Sequence, residues 1–383
     1  MRTHLDVPPN SLVGKMLREA KQAMRSLVAP ATGWFSIPLL IYLFFLSISL
    51  LGVSLKMLGG GVLTELLSLT SNPFVGLFVG ILATSIVQSS SSITSLTVGL
   101  VAVGGLDVAQ AVPIIMGSNM GTSVTNALVA AGQINRPEEF RRAFAAAVVD
   151  DFFEICCIAM LLPLQVAFNV LGASAAFLSK QFAQVGGLHA FDPLNAVIDP
   201  VVELIVELVS ESGLVLLILA LALLFSSLSY LVKTLKRRLI GRIERFFDKV
   251  LFKTASRAMA LGFASTALLQ SSSLTTSLAV PLAGAGFLTL QQVFPYVLGA
   301  NVGTTLTAIF AALVTGQEAA VTVAFAHLLY NVIGIALVWP LRRIPLGLAE
   351  LLAKYALRSR LVPLAYVILV FFAIPMALIF SLR

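Results

Sequence analysis

The chain has 383 residues, 58% of them hydrophobic and 11% charged, with a formal net charge of +7 and a mean hydropathy of +0.98. Soluble domains carry about 25% charged residues, so these values exclude both a water-soluble globular protein and a disordered one. The positive residues stand in short clusters between long apolar runs, not over one face. That pattern excludes a nucleic-acid binder and indicates an integral membrane protein with basic cytoplasmic loops.

Residues 1–33 are polar and basic, carrying Arg2, Lys15, Arg18, Lys21 and Arg25, and lack the apolar core and cleavage site of a secretory signal. A helix needs about 20 apolar residues to cross the hydrocarbon layer. On that measure spans are predicted at Trp34–Leu58, Val108–Ala131, Ala143–Leu171, Leu214–Val232, Val293–Val314, Ala319–Leu341 and Leu361–Leu382. Two further apolar stretches, 73–106 and 258–287, are interrupted by serine runs and read as hairpins that dip part-way into the bilayer. Arg136, Arg141 and Arg142, the segment Lys233–Arg257, and Arg342 and Arg343 are the later basic clusters, whereas 172–213 carries the single lysine Lys180. A cytoplasmic N-terminus puts every basic cluster inside and makes 172–213 an extracellular or periplasmic loop. The basic segment 233–257 reads either as an amphipathic helix at anionic lipid headgroups or as a loop that sets the topology. Residues 342–383 read as an amphipathic segment followed by the last membrane helix. Cys156 and Cys157 are adjacent, cannot bridge each other within a helix, and read as small buried residues.

A self-comparison of the chain shows a duplication. The stretch from Gly80 aligns without a gap on the stretch from Gly262, at an offset of 182 residues. Gln88 falls on Gln270, Ser89–Ser91 on Ser271–Ser273, Pro113 on Pro295, Gly117 on Gly299, Asn119 on Asn301, Gly121 on Gly303, Thr122 on Thr304 and Thr125 on Thr307. The charge pattern directs the two copies oppositely: an outward span precedes the first hairpin and an inward span the second. The expected architecture is an all-α membrane protein with inverted structural repeats (34–171 and 214–341), two re-entrant helical hairpins and broken transmembrane helices. Such repeats mark secondary transporters that bind near the midplane.

Serine runs in hydrocarbon are costly unless their hydroxyls have partners, and one run alone serves packing as readily as binding. Two runs in register at hairpin tips offer more. A half-helix starting mid-membrane presents unpaired N–H groups and the positive end of its dipole. Two such ends with their hydroxyls suit an oxyanion without lysine or arginine. Neutral oxygens of Gln, Ser, Thr and Asn suit sodium, which supplies the missing positive charge. In the duplicated G-x-N-x-G-T the glycines predict an unwound turn that exposes carbonyls beside Asn119 and Thr122 and beside Asn301 and Thr304.

Asp150, Asp151 and Glu154 lie in one apolar run, the first and last at i, i+4 and Asp151 about 100° away. Carboxylates there are expensive and usually functional; the alternative pairs Asp150 or Glu154 with Arg141 or Arg142 near the headgroups. His327 reads first as a satisfied packing histidine; the alternative is a proton-sensitive element, because the spacing His327…Asn331 parallels Asp150…Glu154. No G-x-S-x-G elbow and no phosphate-binding G-x-x-x-x-G-K-[ST] occurs, so neither an intramembrane serine hydrolase nor ATP-driven transport has sequence support. An anion channel fits less well than a carrier, because opposed broken hairpins suit alternating access.

QSSSS at Gln88–Ser92, QSSS at Gln270–Ser273, PIIMGSNMGTSVTN at Pro113–Asn126 and FRRAFAAAVVDDFF at Phe140–Phe153 closely resemble the type II sodium/phosphate cotransporters. The resemblance covers most of the chain from the first span to the sixth. It implies a sodium-coupled phosphate symporter, not an enzyme, of two-bundle, elevator-like architecture; another small oxyanion or carboxylate as substrate stays open. It implies phosphate at Ser89, Ser90, Ser91, Ser271, Ser272 and Ser273. It implies sodium, with no transition metal, at Gln270, Thr304 and Thr307, with Gln88 and Asn301 as companions and Ser271 shared. Asp151 matches the aspartate that charge-moving members use for an additional sodium, and Asn119, Thr122 and Glu154 are supporting residues. The family's H-D-x-F-N appears here as Asp150-Asp151-Phe152-Phe153-Glu154, departing at both ends. The short, cysteine-free 172–213 segment and the end at Arg383 point to a compact bacterial member in the cytoplasmic membrane. Its expected partners are phosphate, sodium and membrane lipids, no nucleic acid, and a second copy in a homodimer if it oligomerises.

Overall fold

The computed structural model describes residues 36–58, 67–68, 70–187, 192–209, 212–246 and 252–382. The basic N-terminal segment, and Lys249 in the basic segment 233–257, lie outside them. Among the described residues the chain is helical and without strands. Helix α1 is Ser36–Leu58. The first hairpin is α2 (Pro73–Val87) and α3 (Ser90–Ala102), followed by α4 (Val108–Met120), α5 (Ser123–Ala131), α6 (Pro137–Phe168), α7 (Val170–Gln184), α8 (Asp192–Leu208) and α9 (Gly213–Phe246). The second hairpin is α10 (Ala255–Leu269) and α11 (Ser272–Gly284), followed by α12 (Leu290–Thr315), α13 (Glu318–Val338) and α14 (Arg343–Ala356). The chain ends with α15 (Leu361–Ile368), a π-helical turn at Leu369–Ala373 and α16 (Ile374–Ser381).

Five stretches of the described residues are long and apolar enough to cross a membrane as one helix: Ser36–Leu58, Gly213–Leu235, Leu290–Thr315, Glu318–Val338 and Leu361–Ser381. The other two expected spans are modified. Val108–Ala131 is two helices that part at Gly121–Thr122. The third span extends from Pro137 to Phe168 and then bends by 73° into α7. The cause is local: Asn169 takes the left-handed conformation (φ 49°), and Gln165 Oε1 accepts the Leu171 and Gly172 amides at 2.9 and 3.3 Å. A side chain thereby replaces the ladder bonds lost at the bend. In the stretch expected as a loop, 172–213, the described residues include the helices α7 and α8. Likewise, α9 carries the span unbroken into the basic segment as far as Phe246. That part is neither a separate surface helix nor a loop.

The packing repeats with the duplication. In each copy the first hairpin helix lies on the helix after the hairpin, α2 on α4 and α10 on α12, and α1 packs against α9. The second hairpin helix packs on the opposite copy: α3 on α12 and α13, α11 on α5 and α6. Both hairpin contacts need glycine. A Cβ on Gly117 would stand 1.9 Å from the Leu77 carbonyl oxygen, and one on Gly299 1.9 Å from that of Met259. Gly121 and Gly303 are similarly confined by Thr84 and Thr266. The duplicated glycines therefore allow backbone to approach backbone. The expected unwinding is confined to the short break at Gly121–Thr122, while α12 runs unbroken through Gly303 and Thr304. The Asn119 and Asn301 carbonyls are bonded by the Thr122 and Thr304 hydroxyls at 2.9 and 2.6 Å.

Gly299→Ala should therefore destabilise the protein by about 1–3 kcal/mol through overpacking, read as a lower melting temperature in detergent. Gly347→Ala, where a Cβ meets nothing within 4 Å, should leave it unchanged.

Candidate substrate and ion site

Both hairpin tips are built alike. α2 ends at Gln88 and α10 at Gln270, each left-handed (φ 58° and 54°), so the chain reverses within one residue. The next residue caps the following helix: Ser89 Oγ accepts from the Ser92 amide and Ser271 Oγ from that of Leu274, both at 3.2 Å. Each glutamine Nε2 donates to a carbonyl of its own hairpin, Ser85 or Ala267. Each Oε1 accepts a threonine hydroxyl from its own copy, Thr125 at 2.6 Å and Thr307 at 2.8 Å. With the third helical amide capped by serine, the first two helical N–H groups of each tip, Ser90–Ser91 and Ser272–Ser273, have no intrahelical acceptor. These four serines are buried, as is Ser92, so the tips face protein and not lipid. The Ser91 hydroxyl has no hydrogen-bond partner. A cavity of about 380 Å³ reaches Gln270 and Thr307 from between α1 and α9, through apolar walls that include Phe44, Phe45, Leu228 and Phe310.

A second pair of matched contacts joins the copies. Asn119 of α4 reaches α13, where its Nδ2 donates to Asn331 Oδ1 at 3.2 Å and its Oδ1 accepts from His327 Nε2 at 2.9 Å. Asn301 of α12 reaches α6, where its Nδ2 donates to Asp150 Oδ1 at 2.8 Å and Glu154 Oε1 at 3.1 Å. Each duplicated asparagine thus grips an i, i+4 pair on a helix of the other copy. One grip is on His and Asn, the other on two carboxyls. Tyr330 of α13 donates to Glu154 Oε2 at 2.6 Å and ties the two grips together. Asn126 and Thr276 add a further link, from α5 to α11, at 2.9 Å.

Asp150, Asp151 and Glu154 are 2%, 1% and 0% exposed. Arg141 pairs with Glu138 instead, and Arg142 donates to the Gly284 carbonyl. The ion pairs of the described residues are confined to the exposed start of α6. Three carboxyls buried without a cationic side chain need protons or bound cations. Asp151 points away from the other two: Oδ2 accepts from Tyr366 of α15 at 2.7 Å. Its Oδ1 and the Ser123 hydroxyl are both buried without a well-formed hydrogen bond, and the Ser123 side chain lies within reach of the Asp151 carboxyl.

The structure thus brings together Gln88 with Thr125, Gln270 with Thr307, and Asn301 with Asp150 and Glu154. Among the described hydrogen bonds none joins Asp151 to Gln270, Thr304 or Thr307. His327 is buried with its Nε2 bonded to Asn119 Oδ1, which agrees with a satisfied packing histidine. Sequence reasoning missed Thr125, Ser123, Tyr330 and Tyr366. The alignment of Thr125 on Thr307 was a usable signal for the first. Tyr366 lies outside the duplication, in an otherwise apolar helix, and gave none.

The family model described as Na+/Pi-cotransporter matches residues 43–185 and 216–353. Sodium-dependent phosphate transport protein 2A of Ovis aries is 33% identical over 424 residues, covering 89% of this chain and 66% of that protein. The protein of the same name from Rattus norvegicus is 32% identical, covering 97% of this chain and 72% of its own length. Sodium-dependent phosphate transport protein 2B of Homo sapiens is 30% identical, covering 88% of this chain and 63% of its own length. No solved structure matches the chain significantly.

Asn301→Leu removes the donor shared by Asp150 and Glu154 and should cost about 2–3 kcal/mol, seen as a lower melting temperature in detergent. Adding Glu154→Gln should restore part of the loss, because the new amide can donate to Asp150.

Proposed function

Because this integral membrane chain belongs to the Na+/Pi-cotransporter family, we propose that it imports inorganic phosphate, driven by sodium moving down its gradient. The observation that carries the reading is the twin construction of the tips: a left-handed glutamine, a capping serine, and buried serines that open a helix. Phosphate binds between Ser89–Ser91 and Ser271–Ser273, taking hydrogen bonds from free amides and hydroxyls at two positive dipole ends. Without an arginine clamp the anion is released readily, as a carrier requires. Sodium ions, as co-substrates, balance its charge. Gln270, Thr304 and Thr307 hold one, with Gln88 and Asn301 as companions in the same role. Asp151 Oδ1 and the Ser123 hydroxyl are the oxygens for another. Asn119, Thr122 and Glu154 keep the two copies in register.

Alternating access follows if the copies run in opposite directions, as the charge pattern indicates, with repeats 34–171 and 214–341 exposing the site to either side by related motions. The same pattern puts the N-terminus in the cytoplasm. The short 172–213 segment suits a bacterial cytoplasmic membrane, with lipid as the surrounding partner and a homodimer as the one assembly to test.

Uptake of radiolabelled phosphate into proteoliposomes tests the reading. An inward sodium gradient should drive uptake that excess unlabelled phosphate suppresses and sulfate or succinate does not; uptake indifferent to sodium would contradict it. Ser90→Ala and Ser272→Ala should each weaken phosphate binding about tenfold, the worth of one hydrogen bond to a charged ligand. Asp151→Asn should reduce the charge moved per phosphate, measured as uptake current; an unchanged ratio removes Asp151 from the sodium ligands.

A further inference from the structure

Helix α14 follows the duplicated region, and its sequence is RIPLGLAELLAKYA. Stepping about 100° per residue, it presents three faces, and the structure distinguishes them. Pro345, Ala349, Ala353 and Ala356 form one face, buried where the helix packs on α6. Ile344, Leu348, Leu351 and Tyr355 form a second, at i, i+4, i+7 and i+11, each between 38% and 49% exposed. Arg343, Gly347 and Lys354 form the third, also exposed. A surface helix in water buries its apolar stripe and exposes a polar one. Here an apolar stripe stays open after the protein-facing side is already occupied.

The charges at its ends are equally one-sided. Arg342, Arg343, Lys354, Arg358 and Arg360 are all exposed, and Glu350 is the helix's one acidic residue. Two of these cations lie over aromatic rings: the Arg342 guanidinium is 4.9 Å from the Trp339 ring centre and that of Arg358 is 5.0 Å from the Tyr355 ring centre. Tryptophan and tyrosine collect at the membrane–water boundary, where an arginine can keep its stem on apolar surface and its charge at the headgroups.

We propose that α14 lies in the membrane interface and binds anionic phospholipid. The stripe Ile344–Leu348–Leu351–Tyr355 rests among the acyl chains of one leaflet, and Arg342, Arg343, Lys354 and Arg358 hold lipid phosphate groups. Because the opposite face of α14 packs on α6, which carries Asp150, Asp151 and Glu154, bound lipid braces the helix of buried carboxyls from outside. This is a different surface from the hairpin tips and stands whether or not the tips bind phosphate.

Thermal melting of the full-length protein in detergent, with phosphatidylglycerol, phosphatidylcholine or inorganic phosphate added, tests it. Phosphatidylglycerol should raise the midpoint by about 4 °C more than phosphatidylcholine. The double variant R343Q/K354Q should lose at least half of that excess, and R343K/K354R should keep it. L348S/L351S should weaken the response to both lipids. Phosphate held at the hairpin tips raises the midpoint equally with and without R343Q/K354Q. Equal responses to the two lipids, an unchanged response in R343Q/K354Q, or a rise with inorganic phosphate that R343Q/K354Q abolishes would overturn the proposal. So would a dimer that L348S/L351S converts to monomer, since the stripe would then belong to a second copy.

Discussion

An amide or carboxyl group buried among apolar helices must find its hydrogen bonds within the protein, because hydrocarbon offers none. Asn119 and Asn301 obey this constraint by reaching into the other copy of the duplication. The two halves are thereby tied by the groups least able to let go. Around that link the rest falls into place. α3 and α11 lie against the opposite copy, their tip serines are buried, and the glycines let the hairpins seat backbone to backbone. Without the asparagines, Asp150 on α6 and the His327 ring on α13 would lose their described hydrogen-bond partners, and Glu154 would keep only Tyr330.

The two links are alike in geometry and unlike in charge. Asn119 holds His327 and Asn331, and Asn301 holds Asp150 and Glu154. One half of a symmetrical framework therefore carries a concentration of carboxyl groups that the other lacks. Asp151, one residue on, faces Tyr366 and has an oxygen to spare. For the proposed transport this asymmetry is useful. Tips made of dipoles and hydroxyls attract the anion, and a carboxyl-rich half gives its counter-cations a place to ride. Neither half needs a basic side chain at its centre.

Much of this was legible in the residues. The gapless alignment at 182 residues located both tips, and glutamine followed by serines marked where each hairpin reverses and each second helix begins. The likeness of His327…Asn331 to Asp150…Glu154 was visible too, but not that each pair meets a duplicated asparagine. Other features were hidden for physical reasons. Glycine spacing signals either an unwound turn or a close backbone approach, and only the neighbouring helix decides between them; at Gly299 it is the Met259 carbonyl. The bend at Asn169 depends on Gln165 folding back onto amides beyond it. The hydroxyl of Tyr366 meets Asp151 from a helix that no repeat relates to α6. Hydropathy also read a loop where α7 and α8 stand, because short helices resting on other helices need no membrane-length apolar run.

The central claim is that two serine tips, one from each copy, act as a single anion site. Counting phosphate bound per chain by equilibrium titration in saturating sodium tests it most directly. One phosphate per chain, held about tenfold more weakly when either Ser90 or Ser272 is replaced by alanine, is the predicted result. Two independent phosphates, or one whose affinity is unchanged by substitution at one of the tips, would contradict it.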